Sequence, residues 1–177
     1  KYDLITNDKS PELVAMTEPG ATVQVYINDV LQATVEANSA GNVSYTMPAN
    51  SADGNYHVQF VATDIAGNRT ESAVATVTID SEIAVFTIDE GSLPTISNSR
   101  ALSVAGQGEA GAQVSIFVDN KLVNVVMVEA DGSWRAPILL QDDGTFKIHF
   151  SITDIAGNTQ ASKNFSVDVD SSTEFPT

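Results

Sequence analysis

The chain has 177 residues, no cysteine, and 23 acidic against 8 basic side chains, which gives a net charge of −15. Disulfides, thiol catalysis and cysteine-based zinc sites are therefore excluded, and the negative field disfavours nucleic acid and anionic membranes as partners. The sequence also lacks the run of roughly 18 apolar residues that a membrane-spanning helix needs. A hydrophobic share of 42% is enough for packed cores. We therefore expect folded domains that bind no nucleic acid and do not insert into a membrane.

The chain contains an internal repeat with an offset of about ninety residues. EPGATVQVYIND at 18–29 matches EAGAQVSIFVDN at 109–120, and TDIAGN occurs at 63–68 and, unchanged, at 153–158. Self-similarity at a fixed period indicates a tandem array of one structural unit. We therefore predict two domains, 1–80 and 81–170, with 171–177 opening a linker to a following domain.

Both repeats are predicted to consist of β-strands. In the first repeat, residues 2–6 are interpreted as the remainder of a first strand that has been cut short. In the second repeat, apolar Phe146, Ile148 and Phe150 alternate with polar Lys147 and His149. Period-two alternation with one apolar face is typical of antiparallel strands packed on one side. Seven such strands are predicted in the second repeat, at 85–88, 100–106, 113–118, 121–128, 133–138, 145–153 and 159–169.

The predicted fold class is all-β, with two tandem immunoglobulin-like antiparallel β-sandwiches of about seven strands each. An odd number of strands makes the chain enter a domain at one pole and leave it at the other, so the two domains are expected to lie end to end. The junction at 79–83 is short and contains neither Gly nor Pro. Free swivelling about it is therefore not expected.

Acidic residues from separate segments are predicted to meet at this junction. Glu109 and Asp154 lie in loops at the pole where the chain enters the second domain, and the linker adds Asp80 and Glu82. Clustered carboxylates repel one another unless a cation lies between them, and Ca²⁺ takes six to eight oxygen ligands. A calcium site is one interpretation. The alternative is that the Asp of TDIAGN only stabilises a turn and that the Glu is merely solvated.

Three segments carry a resemblance to a known family: EPGATVQVYIND, ADGNYHVQFVATDIAGN and the closing VTID. They resemble the bacterial immunoglobulin-like repeats of giant non-fimbrial adhesins secreted by type I systems. The resemblance implies Ca²⁺ at domain junctions, with Asp80, Glu109 and Asp154 as the matching positions. It also implies that Glu18 and Asp64 face a preceding domain and that Asp170 begins the junction to a following one.

The function implied is a calcium-rigidified stalk on the bacterial cell surface that presents a distal binding region, as in virulence-associated adhesion to host cells. Its partners would be neighbouring repeats of the same chain, with a host glycan or receptor bound through the parent protein, and the segment itself is expected to be monomeric. The alternative is that these domains bind a host glycan or protein themselves. Such a binding module should expose an apolar or aromatic patch that differs between the repeats.

An enzyme is not expected. His57 and His149 occupy non-equivalent positions and neither lies near a Ser and Asp pair in the predicted layout. Trp134, the only tryptophan, follows a turn at the start of a strand, so a core position is favoured over a sugar-stacking one. A further class, an accessory domain of a carbohydrate-active enzyme, would place a catalytic domain elsewhere in the gene.

Overall fold

Each repeat of the sequence forms two β-sheets that enclose an apolar core. The computed structural model describes residues 3–172, and the chain divides into two units, Lys1–Ser81 and Glu82–Thr177, called domain 1 and domain 2 below. Within residues 3–172, no helix is long and apolar enough to cross a membrane.

Domain 1 consists of a larger mixed sheet and a two-stranded sheet. In the larger sheet the strand order is β1-β8-β6-β3-β4, with β7 paired to β6, and β2 pairs with β5 in the other. The described strands are β1 (Leu4–Thr6), β2 (Glu12–Met16), β3 (Thr22–Ile27), β4 (Val30–Glu36), β5 (Asn42–Thr46), β6 (Gly54–Thr63), β7 (Arg69–Glu71) and β8 (Ala75–Ile79).

Domain 2 repeats this arrangement and has a third strand in its smaller sheet. The larger sheet has the order β10-β17-β15-β12-β13, with β16 paired to β15, and the smaller has the order β14-β11-β9. A short 3₁₀ helix, Glu90–Ser92, follows β9. The described strands are β9 (Phe86–Ile88), β10 (Ile96–Ser97), β11 (Ala101–Gly108), β12 (Gln113–Val118), β13 (Lys121–Met127), β14 (Ser133–Leu139), β15 (Gly144–Thr153), β16 (Thr159–Ala161) and β17 (Phe165–Val169).

The all-β fold class with two immunoglobulin-like domains is confirmed, and six of the seven predicted strands of domain 2 lie within two residues of observed ones. The seventh, at 159–169, is divided into β16 and β17. Residue 2 of the predicted first strand lies outside the described residues. Of the remainder, Leu4–Thr6 form β1. This strand pairs in parallel with β8, as β10 pairs in parallel with β17. Thus β1 corresponds to β10 and not to β9. The strand β10 was not among the strands predicted from the sequence.

The core of domain 2 is built around aromatic side chains. Trp134 is 2% exposed and lies between Phe86 and Phe150, with ring centroids 6.5 and 5.7 Å away. The predicted core position of Trp134 is therefore confirmed. Domain 1 has the smaller Val43, also buried, at the equivalent position. The residues of β15 alternate between the two faces of the sheet. Those that face inward pack in the core of domain 2, and those that face outward are more exposed.

Candidate metal site

Two of the predicted ligands come together at one pole of domain 2. Glu109 follows β11, and Asp154 follows β15, where both strands end on the same side of the domain. Each contributes a carboxylate oxygen, and the two oxygens lie within 4.8 Å of each other. Glu109 is half-buried, whereas Asp154 is only 7% exposed. Domain 2 therefore holds two carboxylates close together, one of them shielded from water.

The Asp154 carboxylate is also the centre of its own turn. Its Oδ1 accepts hydrogen bonds from the backbone N–H groups of Gly157 and Asn158, at 2.7 and 2.8 Å. Its Oδ2 accepts one from the Asn158 side-chain amide at 2.7 Å. Both interpretations of TDIAGN therefore concern the same atoms: the Asp stabilises the turn, and it still offers oxygen lone pairs on its outer side.

The first TDIAGN segment has the same local structure. Asp64 accepts hydrogen bonds from the backbone N–H and side-chain amide of Asn68, each at 2.8 Å. The Asn68 amide group, followed by its backbone N–H, lowers the pKa of Asp64 below the ordinary value for an aspartate. Because both copies make these bonds, the turn is an intrinsic property of the hexapeptide and does not require a neighbouring domain.

The remaining predicted ligands are described by their positions within their own domains. In domain 1, Glu18 is exposed in the turn between β2 and β3, and Asp80 directly follows β8, at the opposite pole. The backbone N–H of Asp80 donates to the Thr6 carbonyl at 3.0 Å. In domain 2, Glu82 is exposed before β9, and Asp170 is exposed after β17. The structure thus brings Glu109 and Asp154 together and separates Asp170 from them by the length of domain 2.

The donor set of the Glu109 and Asp154 pair fits calcium as part of a coordination shell. Carboxylates are hard oxygen ligands, and two of them at this separation repel each other most strongly when one is buried. Glu109 Oε2 accepts a hydrogen bond from the Ala84 backbone N–H at 3.2 Å, which holds this carboxylate toward the beginning of domain 2. Two carboxylates supply fewer than six oxygens, so a complete shell also needs carbonyls, waters or further acids.

The sequence analysis did not predict a second carboxylate contact, which Asp53 makes in domain 1 and Asp143 makes in domain 2. Asp53 accepts hydrogen bonds from the backbone N–H and hydroxyl of Ser81, and Asp143 does the same with Ser171. Arg100 adds a hydrogen bond to Asp143 at 2.8 Å. In both domains the Asp of an Asp-Gly turn therefore holds the residue that leaves the domain. The signal available in the sequence was the identical spacing from Asp to Ser, 28 residues in each repeat.

These hydrogen bonds also lower the pKa of both aspartates. The Arg100 guanidinium and then the Ser171 hydroxyl lower the pKa of Asp143 to about 2, and the Ser81 backbone N–H and hydroxyl lower the pKa of Asp53. By contrast, Asp29 is a turn residue. Its φ of 62° lies in the left-handed region of a tight hairpin between β3 and β4.

Comparison with known proteins agrees with this architecture. The family model described as "Bacterial Ig-like domain" matches the chain twice, over residues 1–81 and 88–171. Bacillopeptidase F of Bacillus subtilis (strain 168) is 28% identical over 158 residues, which are 89% of this chain and 10% of that protein. The chain thus spans about a tenth of the length of this curated relative.

Among solved structures, the fibronectin(III)-like modules of CbhA from Clostridium thermocellum superpose with a TM-score of 0.54 at 17% identity, over 94% of this chain and 87% of theirs. This likeness concerns the fold alone. The D00-D0 domain of intimin has a TM-score of 0.40 at 14% identity, over 94% of this chain and 96% of that one.

Proposed function

Because the chain belongs to the bacterial Ig-like domain family, we propose that it is a structural segment of an extracellular bacterial surface adhesin. In this proposal the segment has no catalytic role. It forms part of an extended stalk, secreted by a type I system, whose domain junctions are rigidified by calcium and which presents a distal binding region to a host cell or another surface. The observation that carries the proposal is the pairing of Glu109 with the nearly buried Asp154 at the pole where the chain enters domain 2.

The linker is the proposed source of the further ligands. Asp80 is four residues before Ala84, whose N–H binds the Glu109 carboxylate. Four residues of extended chain span at most about 14 Å, so the linker keeps Asp80 and Glu82 within reach of the carboxylate pair. The bonds from Asp80 N–H to Thr6 and from Ser81 to Asp53 fix the point at which the chain leaves domain 1. A calcium ion bound by acids from both sides would then stiffen the joint.

By the same reasoning Glu18 and Asp64 would face an ion shared with a preceding domain, and Asp170 would serve a following one. Repeats of the same polypeptide are therefore the proposed partners. For extracellular calcium modules the dissociation constant is about 10⁻⁴ to 10⁻³ M. At about 1 mM calcium, mass action then stabilises a domain by roughly 0.4–1.4 kcal/mol per site.

The test is thermal unfolding in about 1 mM calcium and in chelator. For a domain of this size we expect calcium to raise the midpoint by about 2–11 °C. Glu109→Gln should abolish that rise while leaving the midpoint in chelator almost unchanged, because the amide oxygen still accepts from the Ala84 N–H. Small-angle scattering should show a narrower distribution of lengths with calcium in the wild-type chain and no such narrowing in Glu109→Gln.

The matched control is Glu129→Gln, which removes the same charge from the loop between β13 and β14 of domain 2. This variant should keep the calcium response. A wild-type midpoint that is identical in calcium and in chelator would contradict the proposal, and so would an equal loss of response in both variants.

A second candidate function is a non-catalytic module of a secreted enzyme. The observation in its favour is the match to Bacillopeptidase F, whose name identifies it as a peptidase. The match covers only 10% of that protein. The sequence analysis left open an accessory domain of a carbohydrate-active enzyme; this candidate has a peptidase in that place. Reading the rest of the gene separates the two functions, because the second requires a catalytic domain in the same polypeptide and the first requires further repeats.

A further inference from the structure

The smaller sheets of the two domains differ in their number of strands. In domain 2 the middle strand β11 has β14 on one side and β9 on the other, whereas within the described residues its counterpart in domain 1, β2, pairs only with β5. The repeat offset of 91 residues aligns Glu12–Met16 with residues 103–107 of β11. The side of β2 that faces away from β5, called the open side below, therefore corresponds to the side of β11 that binds β9.

The backbone of β2 has hydrogen-bonding groups on its open side. In an antiparallel pair, successive residues direct their N–H and C=O groups alternately toward the partner strand and away from it. The Thr17 N–H donates at 2.9 Å to the carbonyl of the residue before β5, so the backbone groups of Val14 and Met16 point to the open side. In domain 2 the carbonyl equivalent to that of Val14 belongs to Ala105, and it accepts from the Asp89 N–H at 2.9 Å, directly after β9. The open side thus presents the backbone groups with which β11 binds β9.

The side chains of β2 also favour a further strand. Charged residues and proline are common protections of a strand edge, and after its first residue, Glu12, β2 contains neither. The outward-facing Val14 and Met16 are 72% and 78% exposed. Ala15 faces the core but is only half-buried, as is Phe60, which packs against the same cluster. Domain 1 therefore keeps apolar surface that a strand with alternate apolar side chains can cover.

We propose that the open side of β2 binds an extended strand equivalent to β9, antiparallel to β2, from the segment of the same polypeptide that enters domain 1. The proposal rests on the proposed function only in taking this segment from a preceding repeat. In domain 2, Ile88 of β9 lies opposite Gly106, so its equivalent would lie opposite Ala15. The Ala15 methyl group excludes the close approach that the Thr87 carbonyl makes at Gly106, so the added strand keeps its carbonyl in the plane of the sheet.

The occupant is inferred from domain 2, which shows what covers this side of the sheet. Phe86 and Ile88 of β9 pack against the domain 2 core, and the strand reaches β11 as part of the segment that enters the domain. The test adds a copy of residues 82–91, EIAVFTIDEG, directly before Lys1. Because Lys1 corresponds to Ser92 at the offset of 91 residues, the copy has the same spacing from domain 1 as the original has from domain 2.

Hydrogen exchange of the native chain in chelator is the direct measurement. In the extended chain the amides of Val14 and Met16 should exchange at least tenfold more slowly, because they gain partners. The amides of Leu13 and Ala15 point toward β5 and should change less. Calorimetry should show the domain 1 midpoint raised by about 4–8 °C, while the fluorescence of Trp134 shows the domain 2 midpoint unchanged.

Two variants make the test specific. Phe86→Ser with Ile88→Ser, made in the added copy alone, is the matched control and should remove both effects. Met16→Pro removes an N–H of the open side and none that binds β5, so extension should no longer raise the midpoint. Each rise compares extended and unextended chains of the same variant, so a general loss of stability in Met16→Pro cancels.

Three results would overturn the proposal. One is exchange at Val14 and Met16 that is as fast in the extended chain as in the original. Another is equal protection by the copy with the two serines. The third is exchange at these amides that slows with concentration in the unextended chain, which would assign the open side to a second copy. All measurements are made in chelator, so their outcome is separate from that of the calcium test.

Discussion

Gly106 tests how closely β9 is packed in domain 2. Gly106 lies in β11, the middle strand of the smaller sheet, opposite Ile88 of β9 on one side and Trp134 of β14 on the other. A Cβ added at this position would lie 2.1 Å from the Thr87 carbonyl oxygen and 2.6 Å from two ring carbons of Trp134. The φ of Gly106 is not positive, so Gly106→Ala meets a steric obstacle and no backbone strain.

The magnitude follows from the atoms that must move. The Thr87 oxygen belongs to the backbone, so moving it from 2.1 Å to a normal contact distance of ~3.5 Å shifts β9 by about 1.4 Å. Overpacking of this kind costs about 1–3 kcal/mol. For a domain of fewer than 100 residues, a central loss of about 2 kcal/mol lowers the melting temperature by roughly 8–16 °C.

Trp134 provides the assay, because it is the only tryptophan and its fluorescence reports on domain 2 alone. Thermal unfolding followed at this residue should show the lowered midpoint in Gly106→Ala, while calorimetry should show an unchanged transition for domain 1. The control is Ala15→Gly at the equivalent position of domain 1, which should cost about 0.5–1 kcal/mol through backbone entropy, plus the contact of the Ala15 methyl group with the domain 1 core. A midpoint for Gly106→Ala equal to or above that of the wild type would refute the reasoning.

Two further predictions concern the core and the acid stability of domain 2. Phe150 is fully buried against Trp134 and Phe165, so Phe150→Ala should destabilise this domain by about 3–5 kcal/mol, and calorimetry should show the domain 1 transition unmoved. Because the pKa of Asp143 is lowered to about 2, its ionised form stabilises the fold above the ordinary aspartate pKa. That contribution is lost as the pH falls toward 2. Asp143→Asn should therefore make the stability of domain 2 less dependent on pH between about 4 and 2. Chemical unfolding across this range measures it, and a free energy of unfolding that changes with pH as steeply as in the wild type would contradict the prediction.

Several features followed from the sequence because they depend on neighbouring residues alone. The repeat of TDIAGN predicts the same turn twice, and Asp64 and Asp154 make the same side-chain bonds in both domains. The alternation along β15 predicted which of its side chains are buried. These results are local: a hydrogen bond from Asp to the residue four positions later, and a strand whose successive side chains point to opposite faces.

The tertiary structure decided the rest, because period-two alternation identifies the face of a strand but not its neighbours. The sequence by itself determined two copies of a β-domain, their turns and much of their cores. Only the fold showed that the carboxylates of Glu109 and Asp154 lie within 4.8 Å of each other, that Asp53 and Asp143 bind the residues that leave each domain, and that β13 is the last strand of its sheet. Each of these depends on which segments the sheet order brings together across long stretches of chain, and no local pattern records that order.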